Sequence, residues 1–101
     1  MLYDYKRWGL KPALALWQKT LVDAADLIEK QGWCQHKYSD QGRSCTMGAM
    51  TSMHHFDTVK ARENLSAVIG TSDITMWNDA PERTAEEVVN ALRKAAAIER
   101  R

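Results

Sequence analysis

Cysteine and histidine are the residues of this sequence whose side chains are best suited to metal binding. The candidates are two cysteines and three histidines, found as Cys34, His36, Cys45, His54 and His55. A structural zinc site needs four thiolate or imidazole ligands in a tetrahedron. The sequence lacks the paired Cys-x-x-Cys knuckles that are typical of such sites. We therefore expect no metal and no cofactor, and we interpret both cysteines as small buried thiols.

The same residues suggest two kinds of thiol chemistry. A disulfide between Cys34 and Cys45 would close the connector between them, but a reducing cytosol favours free thiols. Nucleophilic catalysis would need a thiolate beside a base such as His54, and a third group that orients the base. The sequence shows no evident orienting residue, so it predicts no catalytic residue. A cysteine- or metal-dependent enzyme stays the first alternative function.

A second polar cluster follows Trp77 and consists of Asn78, Asp79 and Arg83. Functionally, an exposed Asp–Arg pair could recognise a partner. Structurally, Asn78 and Asp79 can satisfy backbone groups at a helix end, and Arg83 can pair with Asp79 or with the C-terminal end of the short helix. We prefer the structural interpretation and keep the three residues as candidates for partner binding.

The first eleven residues combine aromatic and charged side chains, foremost Tyr3, Tyr5, Arg7 and Trp8. Tyrosine, tryptophan and arginine are enriched at the energetic centres of protein interfaces. Residues 1–11 are therefore either a strap that packs on the domain or part of a protein-binding surface. We treat them as an N-terminal segment distinct from a helical domain at residues 12–101.

Charge and hydropathy restrict the function classes. The 101 residues include 14 basic and 13 acidic ones, for a net charge of +1. A chain without a strong positive field is poorly suited to general nucleic-acid binding. A nucleic-acid-binding protein that uses the basic termini is the second alternative. No stretch approaches the roughly 18 apolar residues of a membrane span, and the N-terminus lacks the apolar core of a signal peptide. We expect a cytoplasmic protein without a membrane partner.

Apolar residues recur at three- and four-residue steps and predict helices. The first stripe begins after Pro12 and ends at Gly32, a residue suited to terminating a helix. A turn is expected at residues 40–42. Ser44 is then expected to cap a helix in which Gly48 marks a close helix crossing. Methionines at helical spacing are expected to fill the core, at Met47, Met50, Met53 and Met76.

The second half of the chain predicts three more helices. Asp57 or Thr58 is expected to cap one that ends at Gly70, and Ser72 to cap a single turn that contains Trp77. The Thr84-Ala85-Glu86-Glu87 sequence is a capping box and predicts the start of the last helix. No segment alternates as a strand would. The prediction is an all-α, compact single domain of about five helices, with two longer helices clamping shorter ones.

Four motifs occur along the chain: Ala-Ala-Asp-Leu-Ile-Glu at 24–29, Gly-Trp-Cys-Gln at 32–35, Gly-Arg-x-Cys-x-x-Gly-Ala at 42–49, and the stretch from Trp-Asn-Asp at 77–79 to Ala-Ala at 95–96. Together they resemble an uncharacterised domain family that is common in actinobacteria and their phages. The resemblance covers about Ala24 to Ala97 and leaves residues 1–11 outside. It implies a soluble helical domain, encoded by a phage, and implies no activity.

We therefore predict a small helical protein-binding domain, a phage-encoded modulator of a protein in the host cytoplasm, rather than an enzyme. A homo-oligomer is a further alternative if an apolar stripe stays exposed. Seven motif residues are expected to be structural: Trp33, Cys34, Gln35, Cys45, Trp77, Thr84 and Glu87.

Overall fold

A computed structural model of the protein describes residues 14–52 and 58–98. Within these residues the chain forms five helices and one short hairpin. The elements are α1 (Leu16–Gln31), β1 (Ser39–Asp40), β2 (Arg43–Ser44), α2 (Thr46–Thr51), α3 (Thr58–Ile69), α4 (Ile74–Asn78) and α5 (Ala85–Ala97). The predicted helical class is confirmed, and the hairpin is an addition to it.

The core lies between α1, α3 and α5. Large side chains from all three helices are fully buried there, including Leu21, Leu65 and Leu92. Alanines with no exposed surface, among them Ala24 and Ala61, let the helix backbones approach closely. Each helix therefore buries one apolar stripe, as the three- and four-residue steps predicted.

Both ends of α1 are fixed by hydrogen bonds. At the start, the Gln18 side chain accepts from the Ala15 N–H at 2.9 Å and donates to the Ala96 carbonyl of α5 at 3.1 Å. At the end, the Gly32 N–H donates to the Ile28 carbonyl at 2.8 Å, and Gly32 has a φ of 106°. Only glycine adopts that φ readily, so Gly32 ends the helix as predicted.

The connector after α1 contains a hairpin that the sequence pattern did not reveal. Ser39 pairs with Ser44 and Asp40 with Arg43 in an antiparallel register. The two-residue turn is Gln41-Gly42, with φ values of 54° and 89°. Two positive φ values are typical of a type I′ turn, which matches the twist of the flanking strands. The turn was predicted, but two-residue strands are too short to show alternation.

Gly48 lies where another backbone passes closely. A Cβ atom at this position would collide with the Tyr38 carbonyl oxygen and lie 2.9 Å from the Tyr38 carbonyl carbon. The expected close approach is therefore present. Its partner is the connector before β1 rather than a second helix.

Two helix caps differ by one residue from the expectation. Cys45, not Ser44, caps α2, because its sulfur accepts from the Gly48 N–H at 3.2 Å. Asp73, not Ser72, caps α4 through its carboxylate and the Met76 N–H. In each case the preceding serine is one position too early to reach the N–H that needs a partner. Asp57 lies outside the described residues.

Residues 1–13, which include the N-terminal segment and Pro12, also lie outside the described residues. Among the helices that are described, none has the length and apolarity needed to cross a membrane.

Candidate functional site

Asn78, at the end of α4, is the centre of a buried hydrogen-bond network. Its side chain is 1% exposed. The Oδ1 atom accepts from the Trp33 indole N–H at 2.7 Å, from the Thr46 N–H at 2.9 Å and from the Thr46 hydroxyl at 2.6 Å. One amide oxygen thus connects the end of α1, the start of α2 and the end of α4.

The amide nitrogen of Asn78 and the side chain of Gln35 complete this network. Asn78 Nδ2 donates to the Cys34 carbonyl at 3.2 Å and to Asp79 Oδ1 at 3.0 Å. Gln35 Nε2 donates to the carbonyls of Asn78 and Ala80, at 3.0 and 2.8 Å. Satisfied buried networks of this kind fix one arrangement of the elements they join. The Trp-Cys-Gln and Trp-Asn-Asp motifs are therefore two halves of one structural unit.

Trp33 and Trp77 pack against the core from its edge, and both are half-buried. Arg83 covers Trp77: its guanidinium lies 4.3 Å from the ring centroid, and its Nε donates to the Trp77 carbonyl at 2.9 Å. Of the two partners predicted for Arg83, the structure shows the C-terminal end of the short helix. Arg83 also forms an ion pair with Glu87 at 3.7 Å.

The predicted capping box at the start of α5 is confirmed. The Thr84 hydroxyl accepts from the Glu87 N–H at 3.2 Å, and the Glu87 carboxylate accepts from the Thr84 N–H at 2.9 Å. The two residues thus satisfy two backbone donors at the helix start. Because Arg83 precedes this box directly, the cap also fixes the cation over Trp77.

Asp79 and His36 form the polar edge of the network. The His36 N–H donates to Asp79 Oδ1 at 2.8 Å, and the imidazole Nδ1 lies 3.6 Å from Asp79 Oδ2. The His36 N–H, followed by the Asn78 amide, lowers the pKa of Asp79. His36 has a φ of 68°, a left-handed conformation that few residues other than glycine adopt. The Asp79 bond is one contact that holds it there.

A small cavity opens beside this pair. Its volume is about 170 Å³, and its wall is formed by His36, Lys37, Tyr38, Cys45, Thr75 and Asp79. The cavity thus lies between the connector and α4, where the buried network reaches the surface. Tyr38 is 66% exposed at this position, and Met76, which follows Thr75 on α4, is 69% exposed.

The two cysteines are buried and unbridged, and their sulfur atoms have different environments. The Cys34 thiol lies 3.4 Å from the Lys37 carbonyl and 3.7 Å from the Arg43 carbonyl, to which it can donate. Burial raises the pKa of the Cys34 thiol. Cys45 lines the cavity, and its sulfur accepts from the Gly48 N–H. Both cysteines therefore have a structural contact.

The histidines and cysteines of the metal hypothesis are only partly described. His36 has 71% of its side chain exposed, while His54 and His55 lie outside the described residues. In residues 14–52 and 58–98, no group of three or more His, Cys, Asp or Glu side chains is arranged to hold a metal ion.

The candidate partner-binding residues fall in three places. Tyr3, Tyr5, Arg7 and Trp8 lie outside the described residues. Asn78 is buried, whereas the side chains of Asp79 and Arg83 are 23% and 19% exposed. Asp79 thus lies in the cavity wall, while Arg83 is held on Trp77.

Sequence reasoning considered His36 only as a metal ligand, and it missed three further residues of this region: Tyr38, Thr46 and Thr75. His36 and Tyr38 follow Gln35 closely, so their place beside the Trp-Cys-Gln motif was a usable signal. The methionine prediction was right for Met50, which is buried, and wrong for Met76. Helix α4 is only five residues long, and within the described residues its face carrying Met76 is exposed.

The sequence profile of one protein family matches residues 15–98 of the chain, and that family is described as a family of unknown function (DUF6197). No curated protein and no solved structure matches the chain.

Proposed function

The chain belongs to this family of unknown function, and we propose that it is a protein-binding domain whose binding surface surrounds the cavity between the connector and α4. The observation that carries the proposal is the exposure of Tyr38 in the cavity wall and of Met76, which follows the wall residue Thr75 on α4. Tyrosine and methionine are enriched in protein interfaces, where they bring large, adaptable contact area.

The rigidity of the surroundings supports this proposal. Tyr38 is fixed by its backbone, because its carbonyl accepts from the Cys45 N–H at 3.1 Å and passes closely over Gly48. Met76 lies on a helix whose last residue, Asn78, is the centre of the buried network. A surface that is ordered before binding loses less conformational entropy when a partner binds.

Charge indicates what kind of partner this surface fits. The α4 side of the surface is acidic: residues 71–79 contain two acidic residues, Asp73 and Asp79, and no basic residue, so their net charge is 0 − 2 = −2, while Lys37 on the connector side pairs with Asp40. The partner we propose is therefore a protein with a basic surface segment. Complementary charge speeds association and disfavours wrong partners.

The N-terminal segment and the phage context belong to the same proposal. We propose that Tyr3, Tyr5, Arg7 and Trp8 add to the surface formed by Asp79 and its neighbours. We also propose that the protein is phage-encoded and modulates a host protein in the host cytoplasm. The motive is the family resemblance, together with the large apolar area and polar tips of those N-terminal side chains.

An affinity capture from host lysate, with paired variants, tests the proposed function. The test variant carries Tyr38→Ala and Met76→Ala, and the control carries Leu16→Ala and Val59→Ala. The control residues are also exposed, at 50% and 58%, and neither of them lines the cavity. We expect wild type and control to capture the same partner, and the test variant to lose at least about tenfold in affinity. Equal binding by both variants would exclude this surface.

A second pair of changes tests the N-terminal part of the proposal separately. Tyr5→Ala with Trp8→Ala should weaken capture while leaving the helical circular dichroism signal intact. If this variant unfolds, the segment is a structural strap. If it folds and binds as wild type does, the interface is restricted to the cavity surface.

A further inference from the structure

We infer that the cavity receives a basic side chain of the partner, with Asp79 as its counter-ion. This inference rests on the proposed function and specifies the chemistry of its central contact. The ligand group is an ammonium or guanidinium carried on an apolar stem, as in lysine or arginine.

Among the described residues, the hydrogen bonds of Asp79 leave one of its oxygens available for such a ligand. Oδ1 already accepts from the His36 N–H and from Asn78 Nδ2. Oδ2 has the His36 imidazole at 3.6 Å, which is longer than a hydrogen bond. The same contacts lower the pKa of Asp79 and keep the group ionised at neutral pH. One oxygen thus anchors the loop, and the other can accept a hydrogen bond from a cation.

The other charged group of the cavity wall is already paired. The Lys37 ammonium lies 4.0 Å from Asp40, and Asp40 also pairs with Arg43 at 2.6 Å. Lys37 is 64% exposed, so it can remain in solvent with that partner. Within the part of the chain that the structure describes, His36 is the one basic side chain recorded within 4 Å of the Asp79 carboxylate. The Asp79 carboxylate therefore favours a positive ligand in the cavity.

The size and lining of the cavity suit a side chain better than a metabolite. A volume of about 170 Å³ equals the share of about five or six waters in the liquid. That is enough for a charged head group with part of its stem. Tyr38 and Thr75 also line the cavity. An aromatic ring can contact a cation or an apolar stem, and a hydroxyl oxygen can accept a hydrogen bond from a charged head group.

Titration with blocked amino acids tests this inference without a known partner. The probes are N-acetyl-arginine amide, N-acetyl-lysine amide, N-acetyl-norleucine amide and N-acetyl-glutamate amide, each added to isotope-labelled full-length protein. We expect saturable NMR shifts of the His36 and Thr75 amides with the two basic probes only. Equal shifts with norleucine, or a preference for glutamate, would overturn the inference.

Asp79→Asn is the variant that isolates the charge. Asparagine keeps an oxygen for the His36 N–H and the Asn78 amide but removes the negative charge. We expect it to weaken binding of the basic probes at least fivefold. Asp73→Asn, at the other end of α4, is the matched control and should bind them as wild type does. Unchanged binding by Asp79→Asn would contradict the assignment.

Two further measurements keep the outcomes distinct. In wild-type protein, binding of the arginine probe should weaken several-fold from low to high salt, because an exposed ion pair is screened. Affinity that does not change with salt would overturn the inference. This measurement needs no variant, so it stands even if Asp79→Asn fails to fold. In the lysate capture, Asp79→Asn should bind the partner more weakly. If it binds normally while Tyr38→Ala with Met76→Ala does not, this inference fails and the proposed function stands.

Discussion

The Trp33 indole N–H donates to Asn78 Oδ1 at 2.7 Å across 45 positions of sequence. The bond joins Trp33, two residues beyond the end of α1, to the last residue of α4. It explains why the two tryptophan motifs occur together: the first provides the donor and the second the acceptor. A change at either motif should therefore disturb both helix junctions.

Asn78→Ala should strongly destabilise the fold. The change removes the Asn78 amide, which accepts from the Trp33 indole N–H and the Thr46 backbone N–H and donates to the Cys34 carbonyl. These three groups would lose that partner. Each unsatisfied buried group costs about 1–3 kcal/mol. Relaxation of the structure and entry of water recover part of that cost, so we expect the free energy of unfolding to fall by roughly 3–4 kcal/mol. Urea unfolding measures it. Asn90→Ala, at an exposed position on α5, is the control and should stay within about 0.5 kcal/mol of wild type.

Gly48→Ala should destabilise α2, although alanine is normally the better helix former. The added Cβ meets the Tyr38 backbone, which cannot rotate away as a side chain could. We expect a net loss of about 1–3 kcal/mol, the usual range for overpacking. Gly70→Asn is a useful comparison, because Gly70 has a φ of 82° but open space around it. A stabilised Gly48→Ala protein would show that the connector moves freely.

The helices could be predicted from the sequence because each carries its own periodic signal. Leu21 and Leu92 are buried as their spacing required, and Gly32 and the Thr84 box mark boundaries correctly. The cavity could not be predicted in this way. It depends on two hydrogen bonds: the Tyr38 carbonyl accepts from the Cys45 N–H, and the His36 N–H donates to Asp79. Neither bond produces a periodic pattern in the sequence. Contacts between distant loops are set by tertiary packing.

Cys45 should be replaceable by serine more readily than by alanine. Its sulfur caps α2 by accepting from the Gly48 N–H, and serine retains an acceptor at that position. We expect Cys45→Ala to lose on the order of 1 kcal/mol and Cys45→Ser to lose less. Denaturant midpoints of the two variants decide the order. A reversed order would mean that the thiol contributes by packing rather than by capping.

Thr84→Ala should weaken the start of α5. The Glu87 N–H would lose its acceptor, and the reciprocal bond from Glu87 would lose its anchor. The expected loss of unfolding free energy is about 1 kcal/mol. Glu86→Gln changes the same helical turn without touching the box and provides the comparison. If the two variants are equally stable, the box contributes nothing to the fold.

The acid stability of the protein should depend on Asp79. Hydrogen bonds from His36 and Asn78 lower its pKa in the folded state, whereas the unfolded carboxyl titrates near its ordinary value of about 3.9. Above that value both states are ionised and the stabilisation is fully present. As the pH falls through the window below it, the unfolded state takes up the proton first, so stability is lost until the folded carboxyl is protonated too.

Asp79→Asn removes this titration, so its unfolding free energy should fall less than that of wild type as the pH decreases from about 5 to about 2. Urea unfolding at a series of pH values gives both curves. Glu82→Gln removes a negative charge from the same turn and controls for a general charge effect. The two curves should converge at low pH, because the Asp79 carboxyl of wild type is then neutral, as the asparagine amide is. Parallel curves for wild type and Asp79→Asn would mean that the hydrogen bonds from His36 and Asn78 do not stabilise the ionised Asp79 carboxylate in solution.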